Sequence, residues 1–163
     1  METSGFFFTM KNARSHALFL AEWVICLTLA GVFLAAGLAK IGNPAAFALS
    51  IHQFGILPTS CVNLVAIYLP WVEIVCAGAL VFCPATRPGA LWLAIILLAV
   101  FCAALASTAL RGEVVDCGCF GANGNPTPAW NAIGRNGGLA LLALVALTFT
   151  RLRHSKSKNL HLM

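Results

Sequence analysis

Four stretches of this chain are apolar over lengths that match the hydrocarbon thickness of a bilayer, and they govern what it can fold into. A helix rises about 1.5 Å per residue, so crossing roughly 30 Å of hydrocarbon takes about 20 residues. The runs are Ala17–Ala39, Val62–Phe82, Ala90–Leu110 and Ile133–Thr150. The first carries Glu22 and stops at Lys40, the second contains Pro70 and Glu73, and the third is free of charge. The fourth is the weakest, because Arg135 and Asn136 occupy its first turn. With 60% hydrophobic and only 9% charged residues, the chain has too little polar surface for a soluble domain. The expected fold is an all-α integral membrane protein, a bundle of four transmembrane helices.

Lys11 and Arg14 precede an apolar run that ends in small residues, as in a signal peptide. The run is long for that role and Glu22 interrupts it, so the first helix is expected to stay as a span. Within it Gly31, Ala35 and Ala39 recur every four residues, an expected packing seam for another helix.

Orientation follows from lysine and arginine, which collect on the cytoplasmic side of short loops and tails. Lys11 and Arg14 lie before the first span; Arg151, Arg153, Lys156 and Lys158 follow the last. An even number of spans puts both tails on one side, and both are basic. Both termini are therefore expected to be cytoplasmic, with residues 1–16 and 151–163 as tails around a membrane domain of residues 17–150. The short loop with Arg87 shares their side, and the two longer connections, Ile41–Cys61 and Arg111–Ala132, face outward. The formal charge of +5 resides mostly in the C-terminal tail. Anionic lipid is its simplest partner, and no basic, aromatic-rich groove points to nucleic acid.

The second outer connection contains "DCGCFG", Asp116 to Gly121. On the exported side of a bacterial membrane disulfides form and exchange. A bond between Cys117 and Cys119 would close a very small ring, which Gly118 and Gly121 make accessible and which strain keeps easy to reduce. Such a pair suits transfer of oxidising equivalents. Two other readings stay open: a structural staple within the loop, or two ligands to a soft metal completed by Cys61 and His52. A lone C-x-C offers only two thiolates and is a weak metal signal.

The remaining cysteines divide by position. Cys26, Cys76 and Cys102 lie inside spans and Cys83 at a span end, where a thiol acts as a small apolar packing group. Cys61 marks the outer end of the second span and is a candidate resolving thiol. An ionisable group in hydrocarbon is costly, so Glu73 should face the bundle interior. It would serve either a proton relay or quinone contact, or a structural pair with Arg135 or Lys40. Glu22 is expected at the inner interface, and His52 and His16 at polar surfaces.

Four stretches taken together, "FLAAGLAKIGNPAAFALSIHQFGILP", "LPWVEIVCAGALVF", "DCGCFG" and "GRNGGLALLAL", resemble the MauE methylamine-utilisation family and the wider DoxX-like group of small four-helix membrane proteins. They run in the family's order from the first span to the last. The resemblance implies a redox-associated protein of the bacterial cytoplasmic membrane. By it the chain would support maturation of an exported, disulfide-rich protein such as the methylamine dehydrogenase small subunit, alongside a periplasmic thioredoxin-like partner. By the same resemblance Cys117 and Cys119 look like the family's cysteine pair, and Lys40, Glu73, Arg135 and Asn136 like its recurring polar positions. The architecture also resembles membrane disulfide-generating enzymes that pass electrons to a quinone, an analogy of fold only. Two other functions remain in view: a soft-metal carrier or sensor, and a non-catalytic assembly subunit that needs only its helix faces.

Overall fold

The computed structural model describes the backbone of residues 3–112 and 129–160, and side chains within 17–112 and 130–152. Five helices occupy this range: α1 (Thr3–Gly42), α2 (Pro44–Phe54), α3 (Thr59–Phe82), α4 (Arg87–Leu110) and α5 (Ala129–Leu160). Four contain segments long and apolar enough to span a membrane: Ala17–Gly42, Thr59–Phe82, Arg87–Leu110 and Trp130–Leu152. The sequence reading has the same four spans, with ends that coincide with those of the structure or lie two or three residues inside them. Residues 3–16 and 151–160, expected as tails, continue helically from the spans they flank.

The four long helices form a ring in the order α1, α3, α4, α5, in which α1 packs chiefly on α3 and α4 chiefly on α5. The pair α1–α4 and the pair α3–α5 sit across the diagonals and make no close backbone approach among the described residues. The centre is filled by apolar side chains, including Cys26, Leu29, Phe33, Leu80, Leu91 and Ala143. Large apolar residues such as Leu20, Val24, Val75 and Leu141 point outward. Large apolar residues are thus found on both sides of the ring wall, as lipid in place of water allows, while small ones such as Ala94, Ala143 and Ala146 sit where helices approach closely.

Gly37 sets the distance between α1 and α3. A Cβ there would stand 2.9 Å from Ile74 Cγ1 and 3.0 Å from the Pro70 carbonyl oxygen, so only glycine permits this approach. The seam expected at Gly31, Ala35 and Ala39 is not the one used. A Cβ on Gly31 would meet nothing within 4 Å, and both Gly31 and Ala35 are exposed. Four-residue spacing fixes one helix face, and the contact falls on the face carrying Phe33, Gly37 and Lys40 instead.

The connection after the first span, expected as a loop, contains α2. Its start has local causes: Asn43 Oδ1 accepts from the Ala46 N–H at 3.2 Å, and Pro44 occupies the first turn. Its end is Gly55, left-handed at φ 63°, whose N–H donates to the His52 carbonyl. Phe47, Ile51 and Phe54 form its buried face. Arg111, at the end of α4, donates from Nη2 to the Phe54 carbonyl. A cation there also opposes the negative end of the α2 dipole.

Candidate functional site: a buried ion pair beside two cavities

Lys40 and Glu73 are brought together because Gly37 lets α1 lie close to α3 one turn from each. Lys40 Nζ and Glu73 Oε1 are 2.5 Å apart, with side chains 1% exposed. The ammonium also lies over two ring faces, 4.8 Å from the Phe101 centroid and 5.3 Å from that of Phe47. Ring quadrupoles replace part of the hydration that burial removes. Glu73 Oε2, also buried, has no hydrogen-bond partner among the described residues.

A chamber of about 30 Å³ adjoins the pair, and Arg135 and Asn136 from α5 share its wall with Lys40, Glu73 and Phe101. That is room enough to hold a water molecule. The four polar residues singled out in the sequence thus converge from three helices on one small space. Glu73 pairs with Lys40, one of its two expected partners, while Arg135 lines the same chamber. On the other side of Phe101 and Phe47 lies a larger cavity of 280 Å³, lined wholly by apolar side chains of α2, α3, α4 and the α2–α3 connection.

A second buried ion pair occupies the opposite end of the bundle. Arg87 Nη1 donates to Glu22 Oε1 at 3.2 Å and its Nε to the Leu80 carbonyl at 3.1 Å. Its guanidinium stacks on Trp23 at 4.4 Å. Two sequence expectations are corrected here. Arg87 is the first residue of α4 and is buried, not a loop residue, and Glu22 is fully buried, not at the interface. One arginine thereby joins α1, α3 and α4. The signal available in the sequence was a glutamate in one apolar run and an arginine at the same-side edge of another, each costly unless paired.

The cysteine pair, Cys117 and Cys119, lies outside the described residues. The segment that carries it joins the end of α4 to the start of α5, the end of the bundle that holds Lys40, α2 and Arg135. Cys61 is half-buried in the first turn of α3, at that same end. Cys26 and Cys76 are buried and Cys102 partly so, with Cys76 Sγ donating to the Ala90 carbonyl at 3.4 Å. Cys83 is exposed at the opposite end, and none of these five forms a disulfide. His52 is exposed on α2. Among the described residues no three His, Cys, Asp or Glu side chains cluster as metal ligands would.

A family model for the methylamine utilisation protein MauE matches residues 18–149. The chain belongs to the MauE family. It is 41% identical over 128 residues to a methylamine utilization protein MauE of Paracoccus denitrificans, a match covering 77% of this chain and 68% of that protein. The Paracoccus versutus MauE is 34% identical over 128 residues, covering 78% and 68%. That of Methylorubrum extorquens is 36% identical over 109 residues, covering 66% and 58%. No solved structure matches the chain. The MauE match spans the whole four-helix ring and both buried ion pairs. With its four apolar helices, the chain is a multi-pass bacterial membrane protein.

Proposed function

We propose that this member of the MauE family is a membrane thiol–disulfide exchange protein of methylamine utilisation, working at the outer face of the bacterial cytoplasmic membrane with both termini in the cytoplasm. Cys117 and Cys119 alternate between dithiol and disulfide. They trade the bond with a periplasmic thioredoxin-like protein or directly with an exported client, such as the methylamine dehydrogenase small subunit. In each exchange a thiolate of one protein attacks the disulfide of the other, a mixed disulfide forms, and a second thiolate releases it, so oxidation of one pair equals reduction of the other. Cys61, at the same end of the bundle, would resolve such a bond from this chain's side.

The observation that carries the reading is the convergence of Lys40, Glu73, Arg135 and Asn136 on one chamber, at the end of the ring from which the cysteine segment leaves. Glu73 Oε2 is buried with no hydrogen-bond partner among the described residues, and an unsatisfied buried oxygen costs free energy. In a thiol-exchange protein, the same group would take up or return the protons that thiol oxidation releases.

Trapping tests the proposal. Cys117→Ser and Cys119→Ser, each expressed with the methylamine-utilisation proteins, are expected to differ: one accumulates a mixed disulfide with a periplasmic protein, and both stop client maturation. If neither captures a partner and both mature the client at the normal rate, the exchange mechanism is wrong.

A further inference from the structure

The 280 Å³ cavity between α2, α3 and α4 has no part in thiol exchange. Its lining carries no polar side chain, so whatever fills it enters as bare hydrocarbon; a headgroup or a peptide backbone would leave its hydrogen bonds behind. It opens toward lipid, because the lining residues Ile56, Leu57, Val100 and Ala103 are exposed while Phe47 and Ile51 are buried. Its depth is that of one leaflet. Leu69 lies ten residues beyond Thr59, the start of α3, and Val100 ten residues before Leu110, the end of α4, each about 15 Å along its helix. Half of a hydrocarbon core of about 30 Å is the same distance, the reach of a single acyl chain.

A charge stands at the shallow end of this slot. Arg111 is exposed and directly follows the last residue of α4. Its Nη2 donates to the carbonyl of Phe54, a lining residue, and a Cβ added at Gly55 would stand 2.9 Å from its Nη1. The guanidinium therefore rests on the turn between Phe54 and Ile56, which both line the cavity. A guanidinium presents five N–H donors in a planar fork suited to phosphate oxygens. We propose that the cavity holds one acyl chain of an anionic phospholipid whose phosphate lies on Arg111. On the proposed orientation the lipid belongs to the outer leaflet, and its binding requires nothing of the cysteine segment. Phe47 and Phe101 line the cavity and also meet the Lys40 ammonium, so the chain that fills it keeps water from reaching the ion pair on that side.

Phosphatidylglycerol and phosphatidylcholine with the same acyl chains, one of them bearing a diazirine, provide the test when added to the full chain delipidated in detergent. Native mass spectrometry is expected to show saturable one-to-one binding, about fivefold tighter for phosphatidylglycerol, with photolabel in peptides covering residues 56–69 and 100–104. Ala103→Trp, which fills the mouth from the lipid side, is expected to weaken binding of both lipids about tenfold or more and to remove the label; Val100→Trp replaces it if the first variant is not monodisperse. Arg111→Gln is expected to bring the two lipids to equal affinity, and Arg111→Lys, which keeps the charge, to retain most of the preference. Inorganic phosphate alone should displace neither lipid. Absence of saturable binding, binding indifferent to both tryptophans, displacement by inorganic phosphate, or a headgroup preference that survives Arg111→Gln would overturn the site. So would a cavity closed by a second copy of the chain, seen as a dimer that Ala103→Trp splits.

Discussion

Lys40 and Glu73 show what a single ionisable residue costs and gains inside a membrane protein. Each would be expensive alone in hydrocarbon, and together they are tolerated because Nζ and Oε1 are in contact and two phenyl faces complete the ammonium's surroundings. Glu73→Ala leaves an uncompensated buried ammonium and is expected to cost about 3–5 kcal/mol, read as a lower thermal transition in detergent. Lys40→Met combined with Glu73→Leu should recover most of that loss, since the burial penalty vanishes along with the attraction. Glu73 was legible in the sequence, because a carboxylate three residues past a proline inside an apolar run demands a partner. Arg87 was not, because an arginine at the edge of a span ordinarily reaches water, and only the fold shows Glu22, Leu80 and Trp23 gathered around it.

At the scale of elements, contact between α1 and α3 depends on the absence of one side chain. Gly37→Val places a branched Cβ where Ile74 and the Pro70 carbonyl already stand, forcing the helices apart and disturbing the ion pair one turn away. The thermal midpoint of G37V is expected to fall by several degrees while that of G31V, with open space at its Cβ, holds; a comparable drop in both would refute the assignment of the seam. The four long helices were readable from hydropathy and length, which depend on no partner. The seam was not, because three small residues at four-residue spacing lie on a face that the ring turns toward lipid. Helix α2 was written locally in Asn43, Pro44 and Gly55, but its apolar face, too short to span, reads as an interruption of the outer connection until the groove it covers is known.

Across the whole molecule, the ring order α1, α3, α4, α5 places two exposed or half-exposed thiols at opposite ends, Cys61 and Cys83. On the proposed orientation, a membrane-impermeant maleimide added to intact spheroplasts should label Cys61 in a variant lacking the other cysteines. Cys83, tested the same way, should react only after lysis, and the reverse pattern would invert the topology. The proposed sidedness rests on a charge bias in tails and loops; which helices are neighbours was not legible, since hydropathy and length do not name a helix's partner.

The two ion pairs reach far along the chain. Lys40 waits for Glu73, 33 residues later, and Glu22 waits for Arg87, 65 residues later. During synthesis, then, the opening span emerges bearing two charges that nothing yet neutralises, and its release into lipid is unfavourable until two further spans have followed. The insertion machinery must hold the first hairpin and the third helix together, so that assembly of the ring becomes part of entry into the bilayer and not a step that comes after it.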